Sequence, residues 1–345
     1  MKILVAPLNW GLGHASRCIP LVQRFLDEGN EVILGGDGDS LTLLRKHFPK
    51  LRYTYLAPLN LRYSAGGSQV GAILKALPQL FTWAVKDHML LQALLREEPI
   101  DRIVSDNRFG LYINQKSKIK NPQSECIYIT HQLHIMLPRG WRWLEPLASR
   151  IHARIYARYN KVWVPDYEEK EKSLAGKLSH PKSPTAKDKV HLSYIGPLSR
   201  FPLTAHHSPL TVSYDVVAVL SGPEPQRTLL EKEIKARYQD SDEQVLIVQG
   251  LMNRPNTRLK RANFTIVPHM GDEELSAALL SAKHIIARSG YSTIMDLDAL
   301  GLLKNHNSKI INHKSKIELI PTPGQPEQEY LSHWISRKQK KMCKN

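Results

Sequence analysis

The sequence predicts an α/β protein made of two doubly wound, Rossmann-like domains. Three observations carry that expectation. Short apolar runs alternate with helix-periodic segments along 345 residues, the alternation restarts after a proline-rich interruption, and several strand-like runs end in Gly- or Ser-containing turns that open helices. Strands alternating with helices imply parallel sheets covered on both faces. A chain of this length can bury two cores of ordinary size.

Residues 2–8 and 31–35 read as strands flanking a helix over 14–28, and 52–58 reads as a third strand. The stretch 70–96 is long and helix-periodic, with Pro78 expected to kink or split it. Residues 102–105, 126–130 and 162–164 are short apolar strands. A second series follows at 215–220, 245–248, 264–267, 284–287 and 318–321, with helices such as 273–282 between. Separating the two series are Gly196-Pro197-Leu198-Ser199-Arg200-Phe201-Pro202 and His206-His207-Ser208-Pro209, turn-rich and without periodicity. The expected organisation is a first domain over 1–200, a linker over 201–212, a second domain over 213–337 and a basic tail over 338–345, with the domains facing a cleft. Asn305-His306-Asn307-Ser308-Lys309-Ile310 is nearly repeated as Asn312-His313-Lys314-Ser315-Lys316-Ile317, and Lys116-Ser117-Lys118-Ile119 is related. A polar, basic repeat of this kind reads as a surface loop.

Hydrophobic content of 42% with 23% charged residues is that of a globular chain. No apolar run approaches the roughly 20 residues that span a bilayer, and no cationic segment leads into an apolar one, so a cytoplasmic protein without a signal peptide is expected. Cys18, Cys126 and Cys343 are too far apart for a disulfide framework or a zinc site. The net charge of +16 favours anionic partners. Neither an aromatic RNA-binding motif nor zinc-finger spacing accompanies it, which argues against nucleic acid. Some of the charge is in the tail, and some in Arg139, Arg142, Arg150, Arg154, Arg158 and Lys161, opposed only by Glu145 and interleaved with Trp141, Trp143, Tyr156 and Tyr159. That composition suits an anionic membrane surface. It equally suits a buried aromatic row with a solvated arginine face.

Two motifs point to a ligand. Ala287-Arg288-Ser289-Gly290-Tyr291-Ser292-Thr293-Ile294-Met295-Asp296 reads as a strand end, a Ser-Gly turn and a helix start. Such a turn offers backbone N–H groups and hydroxyls to phosphate, and a carboxylate one to two turns on can accept from a ribose diol. A strand and the loop Pro321-Thr322-Pro323-Gly324-Gln325-Pro326-Glu327-Gln328 follow. At the other end, Asn9-Trp10-Gly11-Leu12-Gly13-His14-Ala15-Ser16-Arg17 leaves the first strand and enters a helix, but Ser16 stands where a dinucleotide loop would want its third glycine.

In order and spacing these motifs resemble family 28 glycosyltransferases, which include the N-acetylglucosaminyltransferase of the lipid-linked peptidoglycan precursor. The resemblance covers most of the chain and implies the GT-B architecture, a UDP-sugar donor, and an acceptor that is a glycan or a lipid-linked molecule. It implies that Ser289, Gly290, Ser292 and Thr293 receive phosphate with Arg288 beside them, that Asp296 binds ribose, and that Gln325 and Gln328 reach sugar hydroxyls. Ser221 and Gly222 match a second phosphate-facing loop, His269 and Met270 fall where the base would lie, and Gly11 and Gly13 let backbone approach the ligand. Capping of the helix by its own serines is the plainer alternative for the Ser-Gly turn.

His14 at the helix mouth can take the acceptor's proton as general base, or can simply order its loop. Asp106 ends a strand on the same predicted edge. In plant-type sugar transferases an aspartate after a comparable strand backs the catalytic histidine, although an Asp there can also bond its own turn. His131, where the peptidoglycan enzyme has an acid, is a rival base or a hydrogen-bonded strand-end residue. In Asp37-Gly38-Asp39, helix capping by Asp39 explains the pair better than metal binding, and no metal or other cofactor is expected. About sixteen residues after Gly301 exceed the family's pattern. An epimerase of the same fold, or a nucleotide-sugar-binding protein without catalysis, remains an alternative to the transferase.

Overall fold

The computed structural model describes residues 1–59, 69–113, 119–181, 191–201, 213–222, 224–303 and 315–342. The chain divides into two compact units, one built from the segments up to Leu198 and the other from Ser199 onward, with the loop Gly11–Gly13 belonging to the second. Most of the expected linker, at 202–212, lies outside the described residues, as do 304–314 of the repeated basic segment, 114–118 and 343–345.

The first unit runs β1 (Lys2–Pro7), α1 (Gly13–Asp27), β2 (Glu31–Gly36), α2 (Gly38–His47), β3 (Arg52–Tyr55), α3 (Gln69–Glu97), β4 (Arg102–Asp106) and β5 (Glu125–Ile129). A 3-10 turn at Arg139–Leu144 then leads into α4 (Glu145–Tyr156), β6 (Lys161–Val164) and β7 (His191–Tyr194). Its seven strands are ordered β3-β2-β1-β4-β5-β6-β7, and every neighbouring pair is parallel. Continuous apolar runs such as Ile3–Val5 are what a strand covered on both faces requires, and these residues are fully buried. Leu91 and Leu95 of α3 and Ala153 and Tyr156 of α4 pack on one core with Leu4, Ile103 and Tyr128, so both helices cover the same side of the sheet.

The second unit runs β8 (Val216–Val219), α5 (Gln226–Tyr238), β9 (Val245–Val248), β10 (Leu259–Arg261), β11 (Phe264–Val267) and α6 (Asp272–Ser281). After these come β12 (His284–Arg288), α7 (Tyr291–Ala299), β13 (Lys316–Ile320) and α8 (Pro326–Met342). The order is β10-β11-β9-β8-β12-β13, parallel except for the edge strand β10. Val216, Ala218, Leu230, Ile234, Val245, Ile247 and Ile286 form its core.

Several expectations change. Pro78 lies inside an uninterrupted α3, so the helix neither splits nor ends there. β3 stops at Tyr55 rather than 58, and the short strands β7 and β10 have no clear apolar signature: all three residues of β10 are exposed. Asp37, not Asp39, is the N-cap residue of α2, and its carboxylate makes no capping bond. It accepts instead from Arg108 Nη1 at 2.8 Å and from Asn9 Nδ2 at 3.1 Å.

Arg108 is the polar hub of this unit. With no exposed surface, it donates through Nε and Nη2 to Asp87 at 2.8 and 2.9 Å, through Nη2 to the Ala57 carbonyl at 2.7 Å, and through Nη1 to Asp37. One side chain thereby joins the β4 end, α3, the α2 start and the loop after β3. Burial pushes the Asp87 carboxyl up while Arg108 pulls it back down. Removing one member of a buried pair leaves the other charge uncompensated. Asp87→Ala is therefore expected to cost about 3–5 kcal/mol of stability, read as a lower urea midpoint of the full chain. A loss below about 1 kcal/mol would show that the hub contributes only as an exposed pair does.

Candidate functional site

In each sheet the strand order reverses at one place, between β1 and β4 in the first unit and between β8 and β12 in the second. Ligands of open α/β sheets bind outside the carboxyl ends of strands at such a reversal. Many of the sequence-predicted residues follow the strands at these two places, while His131 follows β5, His269 and Met270 follow β11, and Gln325 and Gln328 follow β13.

The first unit's β1 ends at Pro7, and α1 begins at Gly13, the last residue of the loop that belongs to the second unit. Between them Gly11 adopts φ +77°, a left-handed conformation that favours glycine. His14 and Arg17 are three apart on α1 and therefore share a face. Asp106 is the last residue of β4 and is fully buried. His14 Nδ1 lies 2.9 Å from Asp106 Oδ1. Arg17 donates through Nε to Asp106 Oδ2 at 2.5 Å and through Nη2 to Oδ1. Its Nη2 is also 2.8 Å from His14 Nδ1, and its Nη1 is 3.4 Å from Nδ1 of His131, a buried residue just past β5. The structure thus brings His14, Asp106 and His131 together, and adds Arg17.

Arg17 stands in the sequence motif, where nothing local marks its role beside Asp106. Its spacing of three from His14 signals only a shared helix face. Burial would raise the Asp106 carboxyl, yet the charges of Arg17 and His14 hold it well below the usual carboxylate range. Burial lowers the pKa of His14, Asp106 raises it, and Arg17 lowers it again, leaving a net downward shift. A neutral imidazole beside an ionised, immobilised carboxylate can accept a proton.

In the second unit, Ser221 and Gly222 follow β8, and Gly222 has φ +97°. Ser289 and Gly290 follow β12, with Gly290 the N-cap residue of α7 and Ser292 and Thr293 half-buried in its first turn. Several of the expected ligand groups are used internally, among them Ser292, whose Oγ donates to the Gly13 carbonyl at 2.8 Å. The Arg288 guanidinium donates to the carbonyls of Pro321 at 3.0 Å and Gln226 at 2.7 Å, and Ser289 Oγ to that of Gln328 at 2.8 Å. Gln328 Oε1 accepts from the Thr322 N–H at 2.8 Å. These bonds brace β12, the loop after β13 and the start of α8. Gln325 sits just before α8, half-buried, and His269 and Met270 lie in the loop between β11 and α6.

Asp296, on α7, is buried and accepts from Ser199 Oγ at 2.7 Å. Arg200 Nε is 3.6 Å from its other oxygen and Nη1 is 3.3 Å from Asp272. Neither Ser199 nor Arg200 carries a sequence signal, since both stand in the Pro-rich stretch. Burial, partly offset by Arg200 and Ser199, raises the Asp296 carboxyl to about 6. Among the described residues no three His, Cys, Asp or Glu are grouped as a metal would need, and no helix is long and apolar enough to cross a membrane.

No family model matches the chain. Two curated relatives, from Methanosarcina acetivorans and Methanosarcina mazei, are described as uncharacterized glycosyltransferases. The first is 24% identical over 88% of this chain and 78% of its own length, the second 23% identical over 87% and 78%. Solved structures share the fold across nearly the whole chain. The Streptomyces glycosyltransferase SsfS6, complexed with thymidine diphosphate, has a TM-score of 0.57 at 11% identity, over 97% of this chain and 86% of that one. The spinosyn rhamnosyltransferase SpnG, also complexed with thymidine diphosphate, has a TM-score of 0.53 at 12% identity, over 100% and 91%. An Arabidopsis thaliana structure complexed with UDP-L-rhamnose has a TM-score of 0.54 at 14% identity, over 99% and 92%. The two α/β units are those of the GT-B fold, and the relatives and neighbours are glycosyltransferases.

The Asp296 carboxyl provides a test of the described packing. Its folded pKa, about 6, lies above the ordinary carboxyl value near 3.9. Between these values the folded state holds the proton more tightly than the unfolded one. The contribution of this group is therefore favourable at pH 4 and is lost as pH rises through 6. In Asp296→Asn that part of the pH dependence should vanish, measured as the difference in urea midpoint between the two proteins from pH 4 to 7. A difference that stays flat across this window would contradict the buried setting.

Proposed function

We propose that this chain is an inverting, metal-independent glycosyltransferase, related to family 28, that moves a sugar from a UDP-sugar to a glycan or lipid-linked acceptor. The donor sugar is of the UDP-N-acetylglucosamine type or a related hexose. The observation that carries the reading is the His14–Asp106 pair, 2.9 Å apart where α1 opens at the strand-order reversal. In this mechanism His14 Nε2 takes the proton of the acceptor hydroxyl while Nδ1–H faces Asp106. The oxygen attacks the anomeric carbon from the side opposite the diphosphate, so the bond to the leaving group breaks with inversion. The growing negative charge falls on the diphosphate at the start of α7, where helix N–H groups would meet it and Ser292 Oγ would turn to it from the Gly13 carbonyl, to which it donates at 2.8 Å. The ribose diol donates to Asp296 in place of Ser199 Oγ. Structural neighbours that hold UDP-L-rhamnose or thymidine diphosphate support a nucleoside-diphosphate donor.

A surface observation bears on the acceptor. Trp141 and Trp143 are exposed, Trp143 at 74%, and α4 turns Leu147, Arg150, Ile151 and Arg154 outward on one face. On α3, Leu77, Phe81, Val85 and Met89 are exposed at successive spacings of four. The two helices cover the same side of one sheet. Aromatic and aliphatic side chains beside arginines fit peripheral binding to an anionic bilayer, where a lipid-linked acceptor would reside.

The assay is product analysis with UDP- and dTDP-sugars, with and without candidate acceptors. Nucleoside diphosphate released only with acceptor supports the transferase, an isomerised donor would mean an epimerase, and binding alone a non-catalytic protein. His14→Ala is expected to lower turnover by roughly a hundredfold or more with nucleotide affinity preserved. If activity survives that change and is lost in His131→Ala, His131 is the base. For the surface, sedimentation with phosphatidylglycerol-rich vesicles should show binding that falls with salt and in the Arg150→Glu, Arg154→Glu, Arg158→Glu triple variant. A protein left in the supernatant at low salt would favour a soluble acceptor.

A further inference from the structure

Arg17 constrains His14 as closely as Asp106 does. It is 2% exposed, and its guanidinium spans both Asp106 oxygens while Nη2 lies 2.8 Å from His14 Nδ1. An ionised carboxylate only accepts and a guanidinium only donates, so Nδ1 stands between an acceptor and a donor. With Nδ1–H turned to Asp106, Nε2 keeps the lone pair that can receive a proton. With Nδ1 accepting from Arg17, the proton sits on Nε2 and the ring cannot act as a base there. Protonating the ring places a second cation beside Arg17, with a single buried carboxylate to serve both.

We propose that Arg17 is a positioning residue that fixes Asp106 and tunes His14, keeping the imidazole neutral before the acceptor's proton arrives. This deepens the transferase reading and rests on His14 being its base. In a lone histidine–carboxylate pair the carboxylate stabilises the imidazolium, so the ring stays protonated to higher pH. Arg17 satisfies that carboxylate in advance. The other groups around the pair act in known directions. From α1, Cys18 Sγ is 3.7 Å from Asp106 Oδ2 and burial keeps it a thiol. From β5 comes Tyr128, kept a neutral phenol by burial, and from just past it His131, whose charge would lower the pKa of His14. The depressed proton affinity of His14 agrees with this arrangement.

The experiment is a nitrogen-15 NMR titration of the histidine side chains in the full chain. The His14 midpoint is expected below the ordinary value near 6.5. In Arg17→Met it should rise by about one unit or more, with Arg17→Lys recovering part of the shift because it keeps the charge and loses the fork. The acid limb of kcat/KM should move the same way, so that at pH values below the wild-type midpoint activity falls toward about tenfold for a one-unit rise, while donor KM is nearly unchanged. An unmoved midpoint in a folded Arg17→Met protein overturns the proposal. Should that variant fail to fold, a wild-type midpoint at or above the ordinary value overturns it equally. The titration needs no substrate, so it decides the role of Arg17 even where no donor is turned over. Transfer activity with an unmoved acid limb would retain the transferase and reject this role.

Discussion

Parallel pairing is the constraint on which the rest depends. A parallel sheet cannot be closed by hairpins, so each strand must be followed by a crossover, and all strands then end on the same edge. In both units the chain builds outward from a central strand, first one way and then the other. At that reversal, successive crossovers leave toward opposite sides, and the loops after two adjacent strands stand side by side. Residues more than ninety apart in sequence, such as His14 and Asp106, meet for this reason. The same logic puts the turn after β8 next to the turn after β12.

A second constraint is the cost of burying charge. Among its described residues the first unit holds two buried guanidiniums, and each is matched by a carboxylate in bidentate contact: Arg108 by Asp87 and Arg17 by Asp106. They differ in what surrounds them. Arg108 spends its other donors on Asp37 and on the carbonyls of Pro7 and Ala57, which gives it the setting of a structural joint. Arg17 directs its remaining donors toward two imidazoles, the only ring type that can gain or lose a proton near neutral pH without perturbation. The same kind of pair therefore braces the fold in one place and borders chemistry in the other.

In the second unit the division of labour runs through the Ser-Gly turn. Arg288, Ser289 and Gln328 hold three segments together by bonding carbonyls and an N–H, so the turn is shaped by side chains that sequence resemblance had assigned to ligand. Gly290 is the N-cap residue of α7, and the helix start carries no side-chain capping bond. Asp296 is raised toward 6 chiefly because it is buried, and the Arg200 charge, the Ser199 hydroxyl and the Arg200 backbone N–H offset only part of that cost.

The sequence by itself determined the alternation of strands and helices, most strand positions, the restart near residue 200 and the two turns at which the candidate residues sit. Those features depend on local pattern: apolar runs long enough for one buried strand, glycines where φ turns positive, helical periodicity after them. Local pattern failed at β10, whose residues are all exposed, and at Pro78, which lies inside one continuous helix. It also could not assign Asp37, Arg17, Ser199 or Arg200. What each of these does depends on which distant group shares its burial, and a buried polar side chain takes its meaning from the partner that compensates it. Only the tertiary structure decided that Asp37 serves Arg108, that Arg17 stands between Asp106 and two histidines, and that Ser199 reaches Asp296.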